Sequence, residues 1–566
     1  MKRLIYCLLT GWCMSAGVAV AQEKDITVLL SHYEADKGSL MRFYRIENSP
    51  ERTERLKAFN TDYLQQLSAF NFDKLNVEER VDYVLFRRKL QEEVRALDEQ
   101  AEQCKQLTAW FPLADKIYAA EKLRRRGTKQ DAQALAAAFR DISVALQDKA
   151  WDLNTKATGL NIYLLRRGAG ITKGLQEAIH SVYNFYNEYD PQFSWWLPSP
   201  YKQLDSVLKA YGNIWELKIK TMPGTKDDGS GIRGYPIGKE ELERQLQNEL
   251  IPYSPEELIA IANKEFAFCD AEMLKASEEM GFGKDWHKAL EKVKNTYVPA
   301  GEQPDAIMKL YNESMSFLKT KKLITIPPLA EETWRMIMMT PERQLVNPFF
   351  TGGEVLSISY PTNDMEEGDK LMSMRGNNPH FSRATVHHEL FAGHALEQFM
   401  NNRYRTYRNF DTPFWIEGWS LYWEMLLWDL KFPQSPEDRV GMLFWRMHRC
   451  ARIIFSLNYH LGKWTPQQCI DFLVDRVGHE RANAAGEVRR SFKGDYSPLY
   501  QVAYMIGGLQ FMALKKELVD GGKMTYQQYH DAVMKENSLP VEMVRAILTN
   551  KMIGKDFKAD WHFYKF

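Results

Sequence analysis

Apolar residues recur at mixed three- and four-residue spacing along most of the chain, among many charged positions. In the first half the clearest stretches are residues 61–67, 81–103 and 131–155. This spacing is typical of amphipathic helices that pack one face on a core. We therefore predict that residues 25–250 form helices joined by short turns.

The second half of the chain carries stronger helix-start signals. Ser254, Pro255 and Glu257 supply a capping serine, a proline at the first helical position and a glutamate at the third. This combination predicts a long helix that runs to about Met280 and stops at Gly281. Helices are also predicted over residues 414–430, 442–461 and 499–518. Two more are predicted to start at residues 382 and 465.

One segment instead alternates apolar and polar positions. The hexapeptide VLSISY, residues 355–360, follows Gly352-Gly353 and predicts a strand. With the apolar segments 323–326 and 334–339, it predicts a small sheet within residues 323–360. A glycine-rich turn at 223–236 marks a boundary between an N-terminal helical region, residues 22–250, and a C-terminal region, residues 251–566.

The first residues have the layout of a cleaved secretory signal. Lys2 and Arg3 precede an apolar run, and small residues lead up to Ala21. A signal peptide over residues 1–21, cut after Ala21, predicts a periplasmic or secreted protein. Neither Cys7 nor Cys13 has the small residue before it that a lipoprotein signal requires, so a lipid anchor is the weaker interpretation.

Composition and charge narrow the function classes. The 74 basic and 74 acidic residues balance, which gives no electrostatic argument for nucleic acid or an anionic membrane as a partner. No segment after the leader approaches the ~20 uninterrupted apolar residues of a membrane span. The remaining cysteines form neither a disulfide framework nor a cysteine zinc site, because they are widely spaced: Cys104, Cys269, Cys450 and Cys469.

The segment HHELFAGH, residues 387–394, holds the clearest chemistry. Three of the twelve histidines, His387, His388 and His394, fall within it beside Glu389. In the helical zinc motif H-E-x-x-H, two histidines four residues apart share one face and one zinc. Here Ala392 stands where the second histidine belongs. From these residues alone, a helix with solvated or core histidines explains the cluster equally well.

Helix geometry makes this spacing a problem for chelation. At about 100° per residue, the step from His388 to His394 turns the side chain about 240° away. His387 and His394 share a face, but at about 1.5 Å per residue they lie about 10 Å apart, too far for one zinc. A regular helix therefore brings neither pair onto a metal. Gly393, directly before His394, makes a bulge or an overwound turn the expected irregularity.

A third ligand is available on the apolar helix FWIEGWSLYWEMLLWDL, residues 414–430. It places Glu417 and Glu424 on one face, and Glu417 follows His388 by 29 residues. A glutamate from a second helix is what a catalytic zinc site with two histidines and one carboxylate needs. The alternative is that both glutamates form the polar edge of the helix, although a carboxylate buried among tryptophans is costly without a cation.

Four pieces of the chain carry a family resemblance: HHELFAGHALE, WIEGWSLYWE, ARIIFSLNYHLGKWTPQQCIDFL and EVRRSFKGDYSPLYQVAYMIG. In this order they resemble the bacterial family catalogued as domain of unknown function 885, from about residue 254 to 566 and more faintly through the N-terminal helices. That family is grouped by similarity with the glutamate-zincins, zinc peptidases whose third ligand is a glutamate. Its pattern, H-E-x-x-P-G-H-H-x-Q, has the same long histidine spacing.

The resemblance implies roles for individual residues. His388, His394 and Glu417 become the ligands of a Zn2+ cofactor, and Glu389 becomes the base that acts on metal-bound water. The core set is therefore complete in this chain. The sequence departs from the family pattern at three positions, with Ala392 for proline, Ala395 for the second histidine and Glu397 for glutamine.

Three further residues lie in the family-like segments. Tyr504, in AYMIG, and His460, in NYHLGKW, are candidates to stabilise an oxyanion. Arg490, in EVRRSF, is a candidate to bind a substrate carboxylate. The alternatives are that Tyr504 is an interior aromatic, that His460 is a helix-end histidine and that Arg490 forms a structural ion pair. The strand at 355–360 precedes the metal helix, where zinc peptidases commonly offer an edge strand to an extended substrate.

These patterns predict a mainly α fold: a large helical zinc-peptidase-like structure with a deep cleft, and a small sheet next to the metal helices at 382–430. The predicted function is an exported zinc metallopeptidase that hydrolyses short peptides, because a cleft walled by long helices excludes folded proteins. Two alternatives stay open: a non-catalytic peptide-binding or scaffold protein with a degenerate metal site, and a metal-dependent hydrolase of non-peptide amides or esters. Oligomeric state and the choice between endo- and exopeptidase action are not predicted.

Overall fold

The computed structural model describes residues 25–222, 227–346, 349–493 and 496–565. The predicted leader, residues 1–21, and part of the predicted boundary turn, residues 223–226, lie outside these ranges. Within them helices dominate, which confirms the predicted mainly α fold. None of the helices in these ranges combines the length and the apolar character of a membrane span.

The first half of the chain forms helices in succession. They are α1 (Ile26–Phe43), α2 (Pro50–Ser68), α3 (Val77–Gln106), α4 (Ala114–Arg124), α5 (Ala132–Thr155), α6 (Ile162–Tyr186), α7 (Pro191–Trp196), α8 (Pro198–Thr221) and α9 (Lys239–Asn248). Short 3-10 turns lie at Phe72–Lys74 and Thr108–Trp110. Asn76 and Glu79 form a capping box at the start of α3, which satisfies backbone amides that the first helical turn leaves free.

Helices also dominate the second half. They are α10 (Pro255–Glu279), α11 (Trp286–Lys294), α12 (Gln303–Thr320), α13 (Pro328–Thr333), α14 (Pro341–Val346), α15 (Glu367–Gly376), α16 (Pro379–Glu389), α17 (His394–Asn401), α18 (Pro413–Asp429), α19 (Pro436–His460), α20 (Pro466–Val477), α21 (Arg481–Phe492), α22 (Tyr500–Lys515), α23 (Tyr526–Met534) and α24 (Val541–Leu548). A π-helical turn, Lys516–Asp520, follows α22. Ser254 and Glu257 form the predicted capping box of α10.

The sheet is smaller than predicted. It consists of β1 (Arg335–Met338) and β2 (Val355–Ile358), which pair in parallel with Arg335 opposite Val355. Residues 323–326, which were expected to contribute to the sheet, form no strand and lead instead into α13. Their apolar side chains serve the core: Leu323 and Ile324 are buried against the surrounding helices.

The buried cores connect the two halves of the chain. Helices α4–α8 surround a core of their own that includes Phe139 and Trp215. In contrast, Tyr33 and Phe86 of α1 and α3 belong to the same apolar cluster as Trp419 of α18. Part of the N-terminal region is therefore packed into the C-terminal one, and the domain division at residue 250 stays a prediction.

Two glycines set the packing of α18 on α22. A Cβ on Gly418 would lie 2.6 Å from the Cα of Gly507, and one on Gly507 would lie 1.9 Å from the carbonyl oxygen of Phe414. Glycine at both positions lets the two backbones touch, since any side chain would force them apart. This close contact brings Glu417 of α18 beside Tyr500 and Tyr504 of α22.

Candidate metal centre

The helices that carry the predicted ligands start at strong local signals. Asn378 before α16 and Thr412 before α18 each accept hydrogen bonds from first-turn backbone amides, and a proline follows each at the first helical position. A polar cap followed by proline fixes where a helix begins. The residue at which each helix begins decides which side chains lie on each of its faces. His388 and Glu417 lie on the faces of α16 and α18 that meet.

The helix that carries His388 stops before it reaches His394. Helix α16 ends at Glu389, residues 390–393 form a sharp turn with a cis Phe391–Ala392 peptide bond, and α17 begins at His394. The irregularity expected near Gly393 is thus a complete break between two helices, neither a bulge nor an overwound turn. A Cβ on Gly393 would lie 1.9 Å from the carbonyl oxygen of His388, so the turn accepts only glycine here.

Two side chains of α18 hold this turn. Trp419 Nε1 donates a hydrogen bond to the carbonyl oxygen of Ala392 at 2.9 Å. Ser420 Oγ donates to the carbonyl oxygen of His388 at 3.1 Å. Backbone carbonyls freed by the end of α16 are satisfied in this way, because buried polar groups need partners. The turn is therefore fixed by the same helix that supplies Glu417.

The break brings His388, His394 and Glu417 together. One ligand atom from each of the three side chains lies within 4.8 Å of the others. Glu417 Oε2 is 3.3 Å from His394 Nε2 and 3.6 Å from His388 Nε2. Within the described ranges, no other three metal-binding side chains converge in this way. Two imidazole nitrogens and a carboxylate oxygen are a donor set that suits zinc.

Each histidine is held from behind by a second carboxylate. His388 Nδ1 lies 2.7 Å from Glu424 Oε1, and His394 Nδ1 lies 3.2 Å from Glu397 Oε2. Such a carboxylate orients the ring and leaves its Nε2 free to bind a metal. Neither role was predicted. The signals were present in the sequence, since Glu424 follows Glu417 at heptad spacing and Glu397 lies one turn after His394.

Charge pairing dominates protonation in this buried cluster. Burial lowers the pKa of His394, but Glu417 and Glu397 outweigh burial and raise this pKa well above its ordinary value. Burial raises the pKa of Glu417, but His394 and His388 outweigh it, so the pKa falls well below the ordinary value. Glu417 therefore stays ionised at neutral pH, and the centre favours positive charge.

Glu389 lies beside the three converging residues at the end of α16. It lines the same cavity, and one of its carboxylate oxygens accepts a hydrogen bond from the backbone amide of Gly352. The amide of Gly353 donates to the Glu389 carbonyl oxygen at 3.3 Å. The segment before β2 thus fixes the position of the predicted base.

His387 points away from the centre. Its ring is fully buried and packs edge-on against Phe432, with centroids 5.6 Å apart. Burial lowers the pKa of His387 to about 3, so the ring is neutral at physiological pH. His387 therefore belongs to the core, and His388 is the histidine of α16 that faces Glu417.

A cavity of about 300 Å³ opens in front of the converging side chains. Tyr504 lines it and stacks on His388, with ring centroids 6.2 Å apart. The hydroxyl of Tyr500, a residue that was not among the predicted site residues, donates a hydrogen bond to Glu417 Oε1. Burial, followed by neighbouring negative charge, raises the pKa of both phenols, so both remain protonated donors.

Arg490 lines the same cavity together with two arginines of α19 that sequence reasoning missed, Arg449 and Arg452. Arg490 forms an ion pair with Glu487, and Arg452 Nε lies 2.9 Å from the other oxygen of that carboxylate. Arg449 lies 3.1 Å from Glu424 Oε1. The wall of the cavity therefore carries the three candidate ligands together with three arginines.

His460 is not among the residues that line this cavity, so the structure does not bring it together with the other candidates. It ends α19, two turns beyond Arg452, which places it about 12 Å further along the helix axis. Its ring packs edge-on against Phe492 at 5.8 Å, and burial lowers its pKa to about 4. The family-like segment around it is part of a helix that only passes the site.

The predicted edge strand is also not free along its length. Ser357 of β2 exchanges two backbone hydrogen bonds with Thr351, at 2.8 and 3.0 Å, on the side away from β1. The backbone that faces the cavity is instead the preceding segment, Thr351 and Gly352.

Known proteins place the chain in a family. The sequence profile of the bacterial protein family of unknown function DUF885 matches residues 46–548. A presumed lipoprotein of unknown function from Shewanella oneidensis has a similar fold, with a TM-score of 0.67 and 14% identity over 93% of this chain and 100% of that chain. A presumed lipoprotein from Colwellia psychrerythraea gives a TM-score of 0.59 and 14% identity, over 93% and 98% of the two chains. No curated protein matches significantly. The chain is therefore a member of the DUF885 family.

Proposed function

We propose that the protein is an exported zinc-dependent metallopeptidase that hydrolyses short peptides. The observation that carries this proposal is the convergence of His388, His394 and Glu417, whose ligand atoms lie within 4.8 Å of one another in a buried site. Export is supported by the leader-like first residues and by the similar fold of two presumed lipoproteins.

The residues of the cluster fit zinc in two respects. Glu417 Oε2 is buried, and no hydrogen bond within the described chain satisfies it, so this oxygen is available to a cation. Each histidine keeps Nε2 toward Glu417 while its Nδ1 faces a second carboxylate, the arrangement that orients imidazoles in zinc sites. When bound, zinc supplies Lewis-acid chemistry: it polarises a carbonyl group and lowers the pKa of water.

Side chains of the protein transfer the proton and stabilise the developing negative charge. Glu389 accepts a proton from the attacking water and passes it to the leaving amine nitrogen. The water oxygen forms the new bond to the carbonyl carbon, and the C–N bond breaks, so a carboxylate and an amine leave. Tyr504, a protonated phenol in the cavity wall, donates to the oxygen on which negative charge develops.

Short peptides suit the site because the cavity is small and lies among long helices. Its volume is about 300 Å³, at the lower end of ligand-binding pockets. The exposed approach runs past Thr351 and Gly352, which line the cavity. A folded protein cannot present a peptide bond at that depth.

The test uses Glu389→Gln, which removes the base but keeps the shape of the side chain. Wild-type protein should contain one zinc per chain and cleave a mixed peptide library, whereas the variant should retain zinc and lose at least about 100-fold in activity. Glu367→Gln is the matched control, because Glu367 is 90% exposed and pairs with Lys370 on the same helix. It should cleave like wild type.

Two outcomes would favour the alternatives. If the purified protein takes up no zinc and a chelator leaves its stability unchanged, the protein is a non-catalytic member of the fold. If zinc binds stoichiometrically but only non-peptide amides or esters are cleaved, the metal proposal stands and the peptide substrate is wrong.

A further inference from the structure

The cavity in front of the metal-binding residues ends at buried arginines. The guanidinium groups of Arg449 and Arg452 lie 4.7 and 4.2 Å from the ring centroid of Tyr504. The same ring stacks on His388 at 6.2 Å. The two arginines therefore lie one aromatic ring away from a candidate ligand.

The arginines at this end of the cavity are held by shared carboxylates. Arg449 pairs with Glu424, which is shared with His388, while Arg452 and Arg490 share Glu487. Arg452 is only 3% exposed, and its Nη1 has no hydrogen-bond partner among the described residues. A buried N–H donor without an acceptor is costly, so the structure favours an anion at this place.

Exposure differs along the cavity. Arg449 and Arg452 are 4% and 3% exposed, whereas Gly352 is partly exposed and Gln398 is exposed. Arg449 and Arg452 therefore lie on a buried part of the wall, which helix α19 contributes. A free-acid peptide carries one anion whatever its sequence, the carboxylate at its C-terminus.

We propose that Arg452 binds the free C-terminal carboxylate of the substrate, so that the protein is an exopeptidase that cleaves near the C-terminus of short peptides. This inference rests on the proposed function for the cleavage step, but the binding step can be tested separately. The planar guanidinium group of Arg452 presents N–H donors whose geometry matches the two oxygens of a carboxylate. Arg490 of α21, which pairs with the same Glu487 as Arg452, is then an accessory donor.

The binding test uses the zinc-loaded Glu389→Gln variant, which should hold a peptide without cleaving it. Titration calorimetry compares one short peptide as its free acid and as its C-terminal amide. The acid should bind at least about tenfold more tightly, because the amide lacks the charge that a guanidinium recognises. Adding Arg452→Gln should remove this difference, and Arg452→Lys should keep part of it. Equal binding of acid and amide in the Glu389→Gln background would overturn the inference.

Arg439→Gln provides the matched control on the same helix. Arg439 forms a partly exposed ion pair with Glu279, so this variant should keep the full preference for the free acid. Zinc content and thermal unfolding of each variant show whether it is folded and loaded. The comparison of acid with amide needs no change at Arg452, so it decides the inference even if Arg452→Gln fails to fold.

The cleavage test uses the wild-type enzyme and mass spectrometry of the products. Free-acid peptides should lose residues from the C-terminus, and their amides should be cleaved at least about tenfold more slowly. Internal cleavage that is insensitive to amidation would overturn the inference while leaving the peptidase proposal intact. Failure to cleave either peptide would overturn the proposed function, and the binding ratio alone would then decide the role of Arg452.

Discussion

Glu424 Oε1 lies 2.7 Å from His388 Nδ1, on the side of the ring away from Glu417. The same carboxylate contacts Arg449 at 3.1 Å. Burial raises the pKa of Glu424, but Arg449 and then His388 outweigh it and bring the pKa to about 2. Glu424 is therefore an ionised acceptor at all ordinary pH values, and it fixes the His388 ring with Nε2 toward the candidate metal centre.

Replacing this carboxylate should weaken zinc binding. Glu424→Gln keeps the size of the side chain but removes the charge behind His388, so zinc affinity should fall about 10- to 100-fold. Competition with a chromophoric chelator measures the change. Asp429→Asn, at the end of the same helix, is the control and should bind zinc like wild type. Unchanged affinity in Glu424→Gln would show that the ring is oriented by packing alone.

The turn between α16 and α17 should not tolerate a side chain. In Gly393→Ala the new Cβ would meet the His388 carbonyl oxygen at 1.9 Å, so the turn must shift and His394 moves with it. The free energy of unfolding should fall by about 1–3 kcal/mol, and zinc affinity should fall too. Gly368→Ala is the matched control, because no atom of the described residues lies within 4 Å of the Cβ that alanine would add there. Denaturant unfolding and zinc titration of both variants check this, and equal stabilities would contradict the packing described for the turn.

Removing one hydroxyl should separate binding from catalysis. Tyr504→Phe keeps the ring that stacks on His388 but loses the proposed donor to the developing negative charge. Turnover should fall about 100- to 1000-fold with zinc content unchanged. Steady-state kinetics on a cleaved peptide, with metal analysis, is the measurement. A variant with wild-type kcat would rule out this role for Tyr504.

Stability should depend on pH through His460, which lies far from the centre. Its pKa is about 4 in the folded chain, below the ordinary value of about 6.5. As pH falls from about 6.5 to 4, the unfolded chain takes up a proton that the folded chain does not, so folding loses free energy in this window. His460→Leu should reduce the pH slope of the unfolding free energy by up to about 1.4 kcal/mol per pH unit. Urea unfolding of both proteins between pH 7 and 5 tests this, and an unchanged slope in His460→Leu would contradict it.

Local sequence signals were enough to predict most helices. Ser254 with Glu257, and Thr465 before Pro466, carry caps that are complete within four residues, and α10 and α20 start where these caps predict. Capping is a local interaction, so no knowledge of the rest of the fold is needed. The spacing of His388 and His394 likewise required an irregularity near Gly393.

The remaining features depend on contacts between distant segments. The turn at 390–393 is held by Trp419 and Ser420 of another helix, so its form could not be read from its own residues. The same holds for His460, whose position depends on how far α19 runs past the site. Arg449 and Arg452 were missed because a basic pair on an apolar helix gives no local sign of the cavity beside it.

The central claim is that His388, His394 and Glu417 form a zinc site, and zinc titration of chelator-stripped protein tests it most directly. The account predicts uptake of one zinc per chain by the wild type and loss of that uptake, by at least about 100-fold in affinity, in His388→Ala and Glu417→Ala. His387→Ala should take up zinc like wild type, because this ring lies in the core against Phe432. The absence of uptake by the wild type, or equal uptake by all four proteins, would contradict the account.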